Sequence, residues 1–275
     1  MSRLPTLLLL VVCSPALAAA PIVVLDPGHG GPKEGAVGAK GEKEKDLALV
    51  LALALEKQLE RSGVRVLLTR EADTDLDLKA RTRIANDAGA DLFVSIHLNS
   101  MPPRYRSRVH GIETFFLSAE ASGERARQVA AVENAEAGEE AAPTDDLAFI
   151  LNDLAETQAH HDASKLAYTV HQRLVADLGA ADRGVQQAPF IVLMGAQMPA
   201  ILAEVGFLSH PAEAARLCDK AYQKRIVASL AAGLLAFLAE VGGLDHAVEA
   251  KVEPRVEPKG AAPSAGALTD GPAAR

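Results

Sequence analysis

The sequence predicts an α/β fold: a mixed, mostly parallel twisted sheet flanked by helices on both faces, with a helical insertion near the candidate functional site. Short β-branched segments alternate with helix-forming segments through the first part of the chain, which is typical of parallel strands joined by crossover helices. An alanine- and glutamate-rich stretch interrupts this alternation, which resumes after Gly184. Because the stretch is longer than a connection between strands needs to be, we interpret it as an insertion at about 119–180.

Two stretches of different composition predict the first strand and the first helix. Ile22 to Leu25 is β-branched and predicts the first strand, which a glycine-rich loop follows as far as Gly41. Good helix formers and a terminal glycine predict a helix over Glu44 to Gly63. The middle of this helix is apolar on nearly every face, so we expect it to pack deep in the protein.

The later elements are predicted from apolar runs for strands and from acidic starts and glycine or proline boundaries for helices. The predicted strands are Val64 to Thr69, Asp91 to Ile96, Gly111 to Ser118, Val185 to Met194 and Pro199 to Gly206. The predicted helices are Asp77 to Gly89, Ala121 to Ala142, Asp145 to Leu178 (one or two helices), Pro211 to Leu217 and Ala221 to Val241. Together these elements form one domain over 19–244, followed by a disordered Pro/Ala-rich tail over 245–275.

The start of the chain predicts export. Arg3 precedes an apolar run that ends at Val12, and an Ala-Leu-Ala pattern follows, so we interpret 1–18 as a secretory signal peptide. The mature protein is then expected in a periplasm or outside the cell, with no transmembrane span, because no later segment is apolar for long enough. A lipoprotein signal has a small residue directly before its lipidated cysteine, but Val12 precedes Cys13. We therefore consider a lipid anchor on Cys13 less favoured than simple export.

Charge and cysteine content narrow the function classes. The formal net charge of -8 gives no support to nucleic-acid binding, which requires a basic surface. Loss of the signal peptide leaves Cys218 as the only cysteine, so no internal disulfide is expected. Cys218 lies in an alanine- and leucine-rich helical stretch, and we interpret it as a small buried hydrophobic residue rather than a reactive thiol.

Two histidines follow predicted strands. His29 lies in the turn after the first strand, and His97 comes directly after the strand that begins at Asp91. Ligands of parallel α/β sheets bind beyond the carboxyl ends of the strands, so both side chains are expected at one edge of the sheet. One such histidine is more often structural, and the pairing of two favours a metal site.

Two acids complete the pattern. Glu44 lies in the first turn of its helix, where the helix dipole favours a carboxylate, and this structural role is compatible with metal binding. Glu204 is the single acid of an apolar strand and must be paired, metal-bound or catalytic, because burial without a partner costs several kcal/mol. Two imidazoles and one carboxylate make a three-ligand zinc set with an open fourth position, and Glu204 is then the general base.

Four motifs resemble those of the zinc-dependent N-acetylmuramoyl-L-alanine amidases of the amidase type 3 family, over roughly Ile22 to Val241. They are DPGHGG at Asp26 to Gly31, EKD at Glu44 to Asp46, SIHLNS at Ser95 to Ser100 and PAILAEVGFLSHPAE at Pro199 to Glu213. The resemblance implies cleavage of the amide between N-acetylmuramic acid and L-alanine in peptidoglycan, during cell-wall remodelling.

The same resemblance assigns roles to residues. It implies one Zn²⁺ per chain, bound by His29, Glu44 and His97, with Glu204 as the catalytic acid and base. Glu42 lies two residues from Glu44 and is the competing ligand, although the EKD motif favours Glu44.

The insertion resembles the segment found in the cell-separation branch of these amidases. The resemblance rests on ENAE at Glu133 to Glu136 and on ILNDLAETQ at Ile150 to Gln158. In that branch a helix occludes the zinc until an activator protein, usually of the LytM type, displaces it. The resemblance implies daughter-cell separation and an autoinhibitory acid, with the candidates Glu133, Glu136, Glu139 and Glu140. A solvated charged helix without a regulatory role is the alternative.

Two other functions fit the same residues. One is a different zinc hydrolase of peptidoglycan, a deacetylase or a carboxypeptidase, and the other is a non-catalytic cell-wall binding module. The intact catalytic positions disfavour the binding module. The absence of tryptophan and the 4% aromatic content also disfavour a surface that binds glycan by ring stacking.

Overall fold

A computed structural model of the protein describes residues 19–137 and 158–242. The predicted signal peptide, the tail over 245–275, and the candidate acids Glu139 and Glu140 lie outside the described residues. Among the described helices, none is both long and apolar enough to cross a membrane.

Six strands form one sheet with the spatial order β2-β1-β3-β6-β4-β5. They are β1 (Ile22–Pro27), β2 (Arg65–Leu68), β3 (Leu92–Asn99), β4 (Ile112–Leu117), β5 (Asp182–Ala188) and β6 (Ala200–Phe207). All neighbouring strands are parallel except β4 and β6, which are antiparallel. The prediction of a mixed, mostly parallel sheet is confirmed.

Helices form a layer on each side of this sheet. They are α1 (Glu44–Glu60), α2 (Leu78–Asp87), α3 (Glu124–Asn134), α4 (Gln158–Leu178), α5 (Pro211–Leu217) and α6 (Lys220–Gly242). Helices α1, α4 and α6 pack on one another on one side, whereas α2 and α3 share a core with the sheet residues Val24, Phe93, Phe115 and Leu202. The second side carries the functional site, because side chains on alternate strand positions point to the same face.

Three expectations from the sequence are wrong in detail. Helix α1 is not buried all round: its buried residues recur every three or four positions, while Val50 is 48% exposed, so the helix covers the sheet with one face only. Strand β5 ends before Pro189, which has no N–H for a sheet hydrogen bond, and a 3₁₀ turn over Ile191–Leu193 follows it. Cys218 is exposed where α5 ends, and is not a core residue.

The insertion has two described parts. Helix α3 and a 3₁₀ turn over Ala135–Ala137 come first, and α4 follows residues 138–157, which lie outside the described residues. Asn134, the last residue of α3, donates from Nδ2 to the Pro189 carbonyl at 2.7 Å and accepts from the Ile191 N–H at 2.9 Å. These bonds attach the end of α3 beside the carboxyl edge of the sheet.

Candidate metal centre

The three predicted ligands meet at the carboxyl edge of the sheet. His29 follows β1, Glu44 lies in the first turn of α1, and His97 lies within β3. Glu44 Oε1 is 3.0 Å from His29 Nε2 and 3.0 Å from His97 Nδ1, and the two imidazole rings are 4.8 Å apart between centroids. All three side chains are buried, so the sequence prediction that both strand-end histidines point to one edge is confirmed.

Backbone hydrogen bonds fix the carboxylate of Glu44. Its Oε2 accepts from the Ala36 N–H at 2.7 Å, and its Oε1 accepts from the Leu98 N–H at 2.8 Å. Burial raises the pKa of Glu44, but His29 and His97 outweigh burial and hold it below its usual value, so the group is ionised. Glu42 instead accepts from the Lys40 N–H at 2.8 Å in the loop, and the structure brings Glu44 to the histidines.

Glu204 lies on β6, beside His97 of β3 in the strand register. The side chain is fully buried, and neither carboxylate oxygen has a hydrogen-bond partner among the described residues. Burial raises the pKa of Glu204 well above its usual value, and the nearby Glu133 and Glu44 raise it further. A buried carboxyl group with a raised pKa is typical of general acid and base residues.

Among the described residues, two candidate acids of the insertion reach the histidines. Glu133, in the last turn of α3, places Oε2 3.1 Å from His97 Nδ1 and 3.5 Å from His29 Nε2. Glu136, in the following 3₁₀ turn, places Oε1 2.5 Å from His29 Nδ1. The insertion therefore covers the ligands on the side that faces away from the sheet.

The charges of this cluster call for a cation. Three carboxylates, those of Glu44, Glu133 and Glu136, surround two imidazoles. Burial lowers the pKa of His29, but Glu44 and Glu136 outweigh burial and raise it to about 10. The pKa of His97 is likewise raised well above its usual value, because Glu133 and Glu44 outweigh burial. Both imidazoles are therefore surrounded by groups that favour a positive charge.

The donor set fits zinc. Nitrogen and oxygen atoms bound to tetrahedral zinc at about 2.0 Å lie roughly 3.3 Å from one another, close to the 3.0 Å that separates Glu44 Oε1 from His29 Nε2 and from His97 Nδ1. His29 Nε2 is also buried without a hydrogen bond, although Glu44 Oε1 is near, since the approach lacks hydrogen-bond geometry. An imidazole nitrogen that faces a carboxylate in this way is suited to sharing a cation with it.

A second polar cluster, which the sequence analysis missed, lies beside Glu204. Glu113 of β4 is fully buried, opposite Glu204 in the strand register. It accepts from Arg183 Nε at 2.8 Å and from Asn99 Nδ2 at 2.6 Å, and Arg125 of α3 donates to Asn99 Oδ1 at 2.6 Å. Glu113 is the single acid of an apolar strand, which is the signal that identified Glu204 and could have identified this residue as well.

Comparisons with known proteins agree with this geometry. The family model described as N-acetylmuramoyl-L-alanine amidase matches residues 23–236. The N-acetylmuramoyl-L-alanine amidase AmiA of Escherichia coli strain K12 is 33% identical over 219 residues, which cover 78% of this chain and 75% of that protein.

Solved structures are similar as well. An N-acetylmuramoyl-L-alanine amidase from Clostridium difficile 630 superposes with a TM-score of 0.64 at 30% identity, covering 82% of this chain and 100% of that one. The CwlD amidase from Clostridioides difficile, solved in complex with the GerS lipoprotein, superposes with a TM-score of 0.60 at 26% identity, covering 80% and 99%.

Proposed function

Because the chain belongs to the N-acetylmuramoyl-L-alanine amidase family, and is an enzyme of that class, we propose that its hydrolysis of peptidoglycan depends on one Zn²⁺ per chain. His29, Glu44 and His97 are the proposed ligands, and Glu204 is the proposed catalytic residue. The observation that carries the proposal is the buried convergence of the three ligands, with Glu44 Oε1 3.0 Å from a nitrogen of each histidine and Glu204 adjacent on the next strand. Family membership also decides in favour of the amidase over a deacetylase, a carboxypeptidase or a binding module.

The metal and the residues of the chain have separate roles in the proposed reaction. When bound, zinc supplies Lewis acidity and activates water, whose pKa on zinc is about 7. Glu44 stays ionised, because two backbone N–H groups and two imidazoles stabilise its charge. Glu204 takes a proton from the attacking water and returns it to the amide nitrogen, which cannot leave as an anion.

We also propose that the insertion holds the enzyme inactive. Glu133 Oε2 contacts His29 Nε2 and His97 Nδ1, the nitrogens that would bind the metal, and Glu136 contacts the other ring nitrogen of His29, Nδ1. The two other candidate acids, Glu139 and Glu140, lie outside the described residues, so the proposal rests on Glu133 and Glu136. Activation then requires movement of α3 away from the ligands.

The cellular setting is proposed from the sequence. The pattern at 1–18 supports secretion to the periplasm or the cell exterior, and the insertion motifs support a role in daughter-cell separation with a LytM-type activator as partner. The solved complex of the CwlD amidase with the GerS lipoprotein shows that an amidase of this fold can associate with a second protein.

Digestion of purified sacculi tests the function. We expect a variant with both Glu133→Ala and Glu136→Ala to release stem peptides that begin with a free L-alanine, identified by mass, and a chelator to stop the release. Glycan with free amino groups would indicate a deacetylase, and free D-alanine would indicate a carboxypeptidase. Either product in place of the stem peptides would contradict the proposal.

A further inference from the structure

His29 has a strained backbone. Its φ of 59° is the only positive φ of a non-glycine residue in the described part of the chain. The left-handed region is unfavourable for residues with a Cβ atom, and such a conformation persists only where the surroundings impose it. The conformation directs the imidazole toward Glu44 and His97, so whatever imposes it also orients the proposed metal ligand.

Two buried arginines hold the backbone of this turn. Arg81 of α2 donates from Nη1 to the Pro27 carbonyl and from Nη2 to the His29 carbonyl, both at 3.0 Å. Arg70, just after β2, donates from Nε to the Pro27 carbonyl at 3.0 Å and from Nη2 to the Gly28 carbonyl at 2.7 Å. Three successive carbonyls therefore point at guanidinium groups, on the side of the turn away from the imidazole.

Both arginines are themselves anchored. Arg81 donates from Nη1 to Asp26 Oδ1 at 2.9 Å, and the carboxylate of Asp26 also accepts from Thr69 and Ser95. Arg70 donates from Nη2 to the Lys45 carbonyl at 2.9 Å, which links the turn to the residue after the ligand Glu44. Arg81 is completely buried and Arg70 is 4% exposed, so solvent does not compete for these bonds.

The other side of the turn is closed by the ligand rings. A Cβ atom added to Gly28 would lie 2.5 Å from the His97 ring, and one added to Gly35 would lie 2.5 Å from the His29 ring. The turn is thus packed between the arginines and the imidazoles, with no space for it to shift toward the ligands.

We infer that Arg81 and Arg70 are positioning residues for the proposed zinc site, because they fix the backbone of His29 in its left-handed conformation. The inference rests on the proposed function and adds two residues that contact neither metal nor substrate. A guanidinium holds two carbonyls at fixed directions with one planar fork, which a lysine ammonium cannot reproduce. Arg81 and Arg70 should therefore set zinc affinity rather than overall folding alone.

The test is the zinc dissociation constant, measured by competition with a chromophoric chelator, together with the unfolding midpoint of the metal-free protein. Arg81→Lys keeps a positive charge beside Asp26 but loses the fork, and we expect its dissociation constant to rise about 10–100-fold, as when other outer-shell partners of metal ligands are removed. Arg70→Lys should raise the dissociation constant in the same way, and it replaces Arg81→Lys as the test variant if Arg81→Lys does not fold.

Two control variants separate positioning from stability. Leu234→Ala removes a fully buried leucine of α6, in the helix layer on the other side of the sheet, so it should lower the unfolding midpoint while the zinc affinity stays near that of the wild type. Arg83→Met removes an exposed arginine of the same helix and should change neither quantity.

The inference is overturned if both lysine variants bind zinc as the wild type does. It is also overturned if zinc affinity falls with the unfolding midpoint in the same proportion for Arg81→Lys and Leu234→Ala, since Arg81 would then be merely structural. A wild-type protein that binds no zinc would contradict the proposed function itself, and the inference with it.

Discussion

On the sheet side of the metal centre, the ligands are held by buried hydrogen bonds that extend beyond the site. Glu44 is fixed by two backbone N–H groups, and the His29 turn is fixed by Arg70 and Arg81. On the insertion side, Glu133 and Glu136 contact the histidines, but the helix that carries them is attached more weakly. The sheet side of the site is therefore held rigidly, whereas the insertion side can be displaced.

The attachments of α3 are few and partly exposed. Its buried apolar residues are Ala126, Val129 and Ala130, which are small and bury less area than the leucines and phenylalanines under the ligands. Its ion pair to the sheet joins Glu113 to Arg125, whose side chain is 22% exposed. Displacement of α3 therefore requires loss of the contacts of the two acids, one partly hydrated ion pair and the hydrogen bonds of Arg125 and Asn134, and it leaves the sheet side intact.

The largest effect is expected on the sheet side. In the variant with both Glu133→Ala and Glu136→Ala, Glu204→Gln removes the proposed acid and base, and we expect peptide release from sacculi to fall by about 10²–10⁴-fold, the usual contribution of such a group. Zinc binding should persist, because the three ligands are untouched. Glu42→Gln is the control for loss of a nearby acid. Full activity of Glu204→Gln would remove this residue from the mechanism.

A gain of activity is expected on the insertion side. Replacement of both Glu133 and Glu136 by alanine removes two charged contacts, each worth about 1.5–3 kcal/mol, so basal turnover should rise by roughly tenfold or more. Glu124→Ala, at an exposed position of the same helix, should have no effect. If the double variant is folded and no more active than the wild type, the insertion does not inhibit the enzyme.

Acid stability should also distinguish the sheet side. Burial raises the pKa of Asp26, but Arg81, Thr69 and Ser95 outweigh burial and lower it below the usual value. The stabilisation is present above the unfolded pKa of about 3.9 and is lost as the pH falls through the lower folded pKa.

Unfolding of the metal-free protein in urea measures this effect. Asp26→Asn should be about 1.5–3 kcal/mol less stable than the wild type near neutral pH, with the difference shrinking below about pH 4. A difference that does not depend on pH would show that the charge of Asp26 is not what stabilises the turn.

The smallest effect is expected at the attachment of α3. Arg125→Met removes a partly exposed ion pair worth up to about 1 kcal/mol, so basal turnover should rise by no more than about fivefold. Arg127→Met, at an exposed position on the same helix, is the matched control. A rise as large as that of the double acid variant would mean that Arg125, and not the two acids, holds α3 in place.

The sequence predicted the residues whose signal is local. His29 and His97 were identified because each follows a strand, and Glu204 because it is a lone acid in an apolar strand. Glu44 and the insertion acids were identified by motif resemblance, which placed Glu133 and Glu136 among four candidates. The structure then showed that Glu133 and Glu136 contact the histidines, while the other two candidates lie outside the described residues.

What the sequence did not reveal depends on distant partners. Arg81 meets Asp26 across 55 positions of the chain and Arg183 meets Glu113 across 70, and no periodicity signals either pair. The antiparallel pairing of β4 with β6 is also long-range, since it follows from where the chain returns after the insertion. The strain at His29 is visible only in the backbone.

The most direct test titrates zinc into the chelator-treated variant with both Glu133→Ala and Glu136→Ala, with peptide release from sacculi as the readout. The proposed division of the site predicts no activity without metal and a plateau at one zinc per chain, because the sheet side alone binds the ion. Activity that survives chelation, or that fails to return with zinc when both acids are missing, would contradict it.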